Sequence, residues 1–149
     1  NEILFYQIPR HKIIFEITER SATESEIMTS ASKNFSRYGY RISLDDFGTG
    51  FSNLAWLSQL EPDEIKIDKM FVQSINTESV GKITFNSICQ LLENYNVNTV
   101  FEGIETIAEM QYIMAKSPNA IGQGWLFSKA LPIAEIVKLL AQDQTFVDK

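Results

Sequence analysis

Short apolar runs alternate with longer amphipathic segments along the chain, a pattern of strands and helices in turn. Ile13 to Thr18 and Arg41 to Asp45 read as strands, Glu64 to Ile67 as a short one, Asn98 to Phe101 as another, and Ala120 to Gly122 as a weak fifth. Between them the apolar period lengthens to that of a helix. Ile27 or Met28, Ala31, Phe35 and Tyr38 form one stripe, closed by Gly39, and Ile88, Leu91, Leu92 and Tyr95 form a second. Thr106 with Glu109 three residues on is a capping box that opens a third helix. Pro132 stands in the first turn of a fourth, with Ile133, Ile136, Val137 and Leu140 on its apolar face. Ile3, Leu4, Phe5 and Tyr6 read as the last turns of a further helix. Repetition of this kind predicts an α/β fold on a parallel sheet or barrel. With no internal repeat, low-complexity tract or Pro/Gly/Ser linker, residues 1–149 read as one unit.

The composition narrows the possible functions. The chain has 149 residues, 44% hydrophobic and 21% charged, an ordinary globular balance sufficient for one core. A net charge of -6 without a Lys/Arg cluster disfavours DNA or RNA as a partner, while a small phosphate ligand bridged by metal ions stays open. The one cysteine, Cys89, excludes an internal disulfide framework, suits a reducing compartment and reads as a small core side chain on a helix. The one histidine, His11, lies between Arg10 and Lys12 and reads as a surface residue, which excludes a His-rich zinc site. No apolar stretch approaches the length of a membrane span and no signal peptide is visible, so direct membrane insertion by these residues is not expected.

The most informative run is Leu44-Asp45-Asp46-Phe47-Gly48-Thr49-Gly50. Two adjacent carboxylates on a strand serve one site only if the strand ends there and bends, and Gly48 and Gly50 permit such a bend. Other charged residues fall at comparable places. Glu16 lies near the end of the first strand, Lys66 at the end of the third, Glu102 at the end of the fourth and Gln123 just past the fifth. In parallel α/β folds and (βα)8 barrels the carboxyl edge is where sites are built. A single acid at a strand end is ordinarily a cap or a solvated rim residue. Four acids recurring with a lysine would repel one another unless cations neutralised them, and oxygen ligands alone suit Mg2+ or Mn2+.

These residues resemble a known family. Phe15-Glu16-Ile17-Thr18-Glu19, Asp45-Asp46-Phe47-Gly48-Thr49-Gly50, Asp63-Glu64-Ile65-Lys66-Ile67-Asp68, Glu102-Gly103-Ile104-Glu105-Thr106 and Gln123-Gly124-Trp125-Leu126-Phe127 are similar, in order and spacing, to the successive motifs of the EAL-domain cyclic-di-GMP phosphodiesterases. The resemblance implies a (βα)8 TIM-like barrel that hydrolyses one phosphodiester bond of this bacterial second messenger to give linear pGpG by two-metal-ion catalysis. It implies Glu16, Asp45, Asp46 and Glu102 as ligands of Mg2+ or Mn2+, with Glu102 also a candidate general base and Lys66 beside the attacking water. Gln123 would support the site by hydrogen bonding, and Glu19 and Glu105 would stand behind the ligands, Glu19 bracing the loop after Asp46. The Asp-Phe-Gly run is shared with protein kinases, but the chain has neither their Gly-rich nucleotide loop nor a His-Arg-Asp loop.

The departures from the family pattern are as informative. The Glu-Ala-Leu motif and the asparagine-bearing strand that follows it are absent, and with them two metal ligands. A complete barrel runs to about 250 residues, so 149 supply about five βα units. Ala120 stands where the family has an acid, and Ala130 where it has a proline. The expectation is therefore the carboxyl-terminal portion of an EAL domain, inactive alone, from a cytoplasmic parent whose membrane attachment, if any, lies in other segments. Unpaired strand edges predict a homodimer. The alternatives are a degenerate EAL domain that binds the dinucleotide or a protein without hydrolysis, and a stand-alone structural module.

Overall fold

Five strands pair side by side in the order in which the chain makes them, and every pairing is parallel. They are β1 (Ile14–Thr18), β2 (Arg41–Phe47), β3 (Glu64–Ile67), β4 (Asn98–Phe101) and β5 (Ile121–Gly122). The structure is a computed structural model that describes residues 2–18, 25–49, 53–76, 80–95 and 97–141. Each connection between strands passes through helix, as parallel pairing requires. Those helices are α2 (Ser25–Arg37), α3 (Asn53–Leu60), α4 (Lys69–Ser74) with α5 (Val80–Glu93), and α6 (Ile107–Lys116), while α1 (Glu2–Phe5) precedes the sheet and α7 (Ile133–Ala141) follows it. Arg10–Lys12, with His11, form a short exposed 3-10 turn ahead of β1.

The sequence pattern therefore reads correctly at all five strands, and β3 and β4 have the expected bounds. β1 and β5 each begin one residue later than expected, Tyr38 and Tyr95 lie just past the helices whose stripes they were to complete, and larger differences appear elsewhere. The second strand runs past Asp45 to Phe47. Two helices, α3 and α4, carry no stripe long enough to stand out. Pro132 lies just before α7 and not inside it, its carbonyl accepting the first bonds of the helix from Glu135 and Ile136 at 2.9 and 3.1 Å. The apolar face expected on that helix is exposed, with Ile133 80% and Leu140 75% accessible.

Alternation along the strands separates two faces. Ile17, Ile42, Leu44, Ile65, Ile67 and Phe101 join Leu57, Leu60, Phe71, Val72, Phe85, Ile88, Leu92 and Ile113 of the helices in one core. Cys89 belongs to this core, and burial pushes its thiol up to about 11 although Lys116 opposes the shift. Apart from Ile14 and Val100, the residues of opposite parity on β1 to β4 are polar. Glu16 is in register with Ser43 and Ser43 with Glu64, and two residues further along these strands come Asp45 and Lys66. One face of the sheet is thus a packing surface and the other carries charge toward its carboxyl edge.

Candidate metal and active site

At Asp45 and Asp46 the alternation breaks. Leu44 is in register with Ile65 and Phe47 with Ile67, so three steps along β2 match two along β3. One residue is extra, and Asp45 and Asp46 together stand opposite Lys66. This is a β-bulge, a device that re-aims side chains beside functional sites. Its backbone signature is Asp46, whose φ of 56° lies in the left-handed region that Asp tolerates better than most residues. The strand does not end at the acids, as the sequence reading had it. The bulge delivers both carboxylates to one side while Phe47 returns to the core at 2% exposure.

Asp45, Asp46 and Glu102 each place a carboxylate oxygen within 4.8 Å of the other two. Glu102 lies one residue past β4, where its backbone N–H donates to Ile67 O at 3.1 Å and continues the ladder. The Lys66 ammonium joins the acids, with Nζ 2.7 Å from Glu102 Oε1 and 3.2 Å from both Glu16 Oε1 and Asp45 Oδ1. Glu16 touches the group through Lys66 and stands at its rim, its side chain 52% exposed against 17% for Asp45 and 19% for Glu102. Burial by itself lowers the lysine pKa, but the hydrogen bond and charge of Glu102, then the close carboxylates of Glu16 and Asp45, outweigh it and hold Lys66 above its ordinary value. The ammonium is a fixed cation.

The four carboxylates and the one ammonium of this group leave a local excess of three negative charges when all are ionised. Asp45 Oδ1 is buried and, though near Nζ, makes no hydrogen bond of acceptable geometry. Hard oxygen donors in excess, one without a hydrogen bond, fit a divalent cation such as Mg2+ or Mn2+. A cleft of about 450 Å³ lined by Lys33, Tyr40, Arg41, Glu61 and Asp63 lies at the opposite, amino-terminal end of the strands, away from this chemistry.

Two other residues singled out in the sequence lie in the neighbouring backbone. Gln123 N donates to Phe101 O at 2.9 Å and its carbonyl accepts from Ile104 N at 3.1 Å, so it straddles Glu102 and Gly103. Glu105 N donates to Glu109 Oε2 at 2.9 Å, while its own side chain is in the exposed part of the loop. Glu19 lies outside the described residues. The sequence reading found the capping box of α6, in which Thr106 Oγ1 accepts from Glu109 N, but missed its third partner. Asn76 donates to Glu109 Oε1 at 2.9 Å and ties the turn after α4 to the loop that follows Glu102. Burial alone would raise the Glu109 pKa, but the amides of Glu105 and Thr106, the Thr106 hydroxyl and Asn76 hold it below the usual value. Of α4, the detectable signal was Asp68, which caps it by accepting from Met70 N at 2.7 Å.

Comparison with known proteins places this arrangement. Residues 1–130 match the family described as EAL domain. The probable cyclic di-GMP phosphodiesterase PdeD of Escherichia coli (strain K12) is 33% identical over 144 residues, covering 97% of this chain and 27% of the relative. The EAL enzyme Bd1971, in a form with cAMP and cyclic-di-GMP bound, superposes with a TM-score of 0.85 at 34% identity, over 93% of this chain and 36% of the other. BlrP1 of Klebsiella pneumoniae, in a manganese and cyclic-di-GMP complex, superposes at 0.77 with 27% identity, over 85% and 32%. The chain spans about a quarter of the length of the curated relatives it matches.

Proposed function

This chain belongs to the EAL domain family, and on that premise we propose that it supplies the carboxyl-terminal part of a TIM-like barrel that hydrolyses cyclic-di-GMP to linear pGpG. The observation that supports the reading is the convergence of Asp45, Asp46 and Glu102 from two strands, with Asp45 and Glu102 also paired to the ammonium of a third. Asp45, Asp46 and Glu102, with Glu16 at the rim, would hold Mg2+ or Mn2+. Such cations, when bound, lower the pKa of water and stabilise charge on the attacking and leaving oxygens.

The chain's own residues have separate tasks in this reaction. Glu102 accepts the proton of the attacking water as general base. Lys66, fixed in its charged form, orients that water and offsets phosphate charge. A P–O bond forms to the water oxygen, the bond from phosphorus to one ribose oxygen breaks, and that oxygen takes up a proton from solvent while Glu102 returns its own to solvent. Gln123 has no basic group, so its part is hydrogen bonding. The Glu-Ala-Leu motif of the family is not in this sequence, and the 149 residues by themselves are expected to hydrolyse little substrate. The domain acts in the cytoplasm, in keeping with the free, buried Cys89, and pairs with a second copy.

The reading is tested by the thermal midpoint of the chain against free Mn2+, since ligand binding to the folded state raises stability with the logarithm of its concentration. The midpoint is expected to rise in wild type and in the exposed control Glu93→Gln, and to rise much less in Asp46→Asn. Equal slopes in all three refute the cation site. A metal response without turnover, even after the missing family motifs are restored by fusion to a relative's amino-terminal half, would favour the non-catalytic alternative.

A further inference from the structure

The turn that follows Asp46 and the loop that carries Glu102 come from different strands, yet both rest on α4. Gly48, two residues after Asp46, has φ 102°, and a Cβ built on it would overlap the ring of Phe71. Gly103, directly after Glu102, has φ 68°, and a Cβ there would overlap Cβ of Lys69. The helix beneath is itself well held. Asp68 caps it, Phe71 N donates to Asp68 O at 3.1 Å, Ser74 Oγ donates to Phe71 O at 2.7 Å, and Val72 is fully buried in the core. On the other side of the contact, the turn at Gly48 is closed by Thr49, whose N–H and hydroxyl donate to Asp46 O at 3.2 and 2.9 Å.

We propose that Phe71 is a positioning residue for the cation site, its ring holding Gly48 and thereby fixing Asp46 in the left-handed conformation that turns its carboxylate toward Asp45 and Glu102. A left-handed aspartate persists only where its surroundings over-determine it. Here the determinant is steric. With the ring in place the Gly48 turn has one seat. With the ring shortened, the turn gains room, the extra residue of the bulge is free to redistribute, and Asp46 leaves the position at which its oxygen lies within 4.8 Å of its two partners. Lys66, Lys69 and Phe71 lie within five positions of one another along the chain, so a single strand-to-helix junction sets the ammonium and supports both segments that carry the ligands. The role assigned to Phe71 rests on the cation reading above.

The test compares Phe71→Leu with Phe85→Leu, a fully buried core phenylalanine that is not among the nearest neighbours of either loop glycine. Two readouts are taken: the Mn2+ midpoint in a thermal-shift titration, and hydrogen exchange at the Thr49 amide in metal-free protein. Loss of groups that orient metal ligands ordinarily weakens metal affinity about 10–100-fold, so Phe71→Leu is expected to shift the midpoint by about tenfold and Phe85→Leu by less than about twofold. Exchange at Thr49 is expected to accelerate in Phe71→Leu alone. Gly48→Ala, which attacks the same contact from the other side, is expected to reproduce both effects and serves if Phe71→Leu folds poorly. If wild type binds no Mn2+, the cation reading fails while Thr49 exchange still decides whether Phe71 holds the turn. Unchanged exchange, or equal effects of the two phenylalanine variants, overturns the proposal.

Discussion

Replacing Glu109 by alanine removes three hydrogen bonds from one carboxylate. Oε2 accepts from the backbone amides of Glu105 and Thr106, each at 2.9 Å, and Oε1 accepts from Asn76 at 2.9 Å. A hydrogen bond to a charged group is worth about 1.5–3 kcal/mol net, but Thr106 and Asn76 are exposed and water re-solvates them, so the low end applies and the three are not additive. Together these place Glu109→Ala at about 3 kcal/mol, or roughly 6–12 °C in Tm for a chain of this size. Glu109→Gln keeps the shape and one acceptor oxygen and is expected to cost about 1 kcal/mol. The pH dependence separates the carboxylate from mere packing. The folded pKa of Glu109 lies below its unfolded value, so its contribution is fully present above the unfolded pKa of about 4.3 and is lost as pH falls through the folded one. In urea denaturation, the stability gap between wild type and Glu109→Gln is therefore expected to be widest at pH 6–7 and to close in the acid range below the unfolded pKa. A gap that stays constant down to pH 3 would refute the assignment.

Two further outcomes follow from the site and the surface. Lys66→Met removes the ammonium that Glu16, Asp45 and Glu102 share, and an uncompensated buried charge costs about 3–5 kcal/mol. With Asp45 and Glu102 released, Mn2+ is expected to raise the thermal midpoint more in this variant than in wild type, and a smaller rise refutes the competition. Pairing of two copies is expected from the exposed apolar stripe of α7, where Ile133, Val137 and Leu140 face away from the core. Light scattering across micromolar concentrations reads the mass directly, and a monomer throughout refutes it.

What the sequence determined by itself is whatever depends on neighbours along the chain. Strand period marks β1 to β5, and a three-residue spacing marks the Thr106–Glu109 cap, because alternation and capping are local geometry. The order of Glu16, Asp45, Asp46, Lys66 and Glu102 near strand ends was legible for the same reason. The identity of the family was legible too, since its motifs are short and contiguous. Whether those side chains meet was not, since the register between strands decides it. Lys66 reaches Glu16 across two strands and Glu102 on a third, and no spacing rule states that one ammonium serves all three.

The same distinction explains the errors. Two adjacent acids on a strand suggested an ending at Asp45, whereas pairing with β3 continues to Phe47 and absorbs the extra residue as a bulge. The left-handed turn that makes this possible is seated on a ring at position 71, and the cap at Glu109 recruits Asn76 from 33 residues away. The apolar stripe of α7 was legible as a pattern, yet a pattern states only what a helix is able to bury. Which surface covers it depends on a partner in space. Local chemistry chose the elements and the kinds of atoms at the sheet edge, and the packing of helices against the opposite face fixed the register that brings those atoms together.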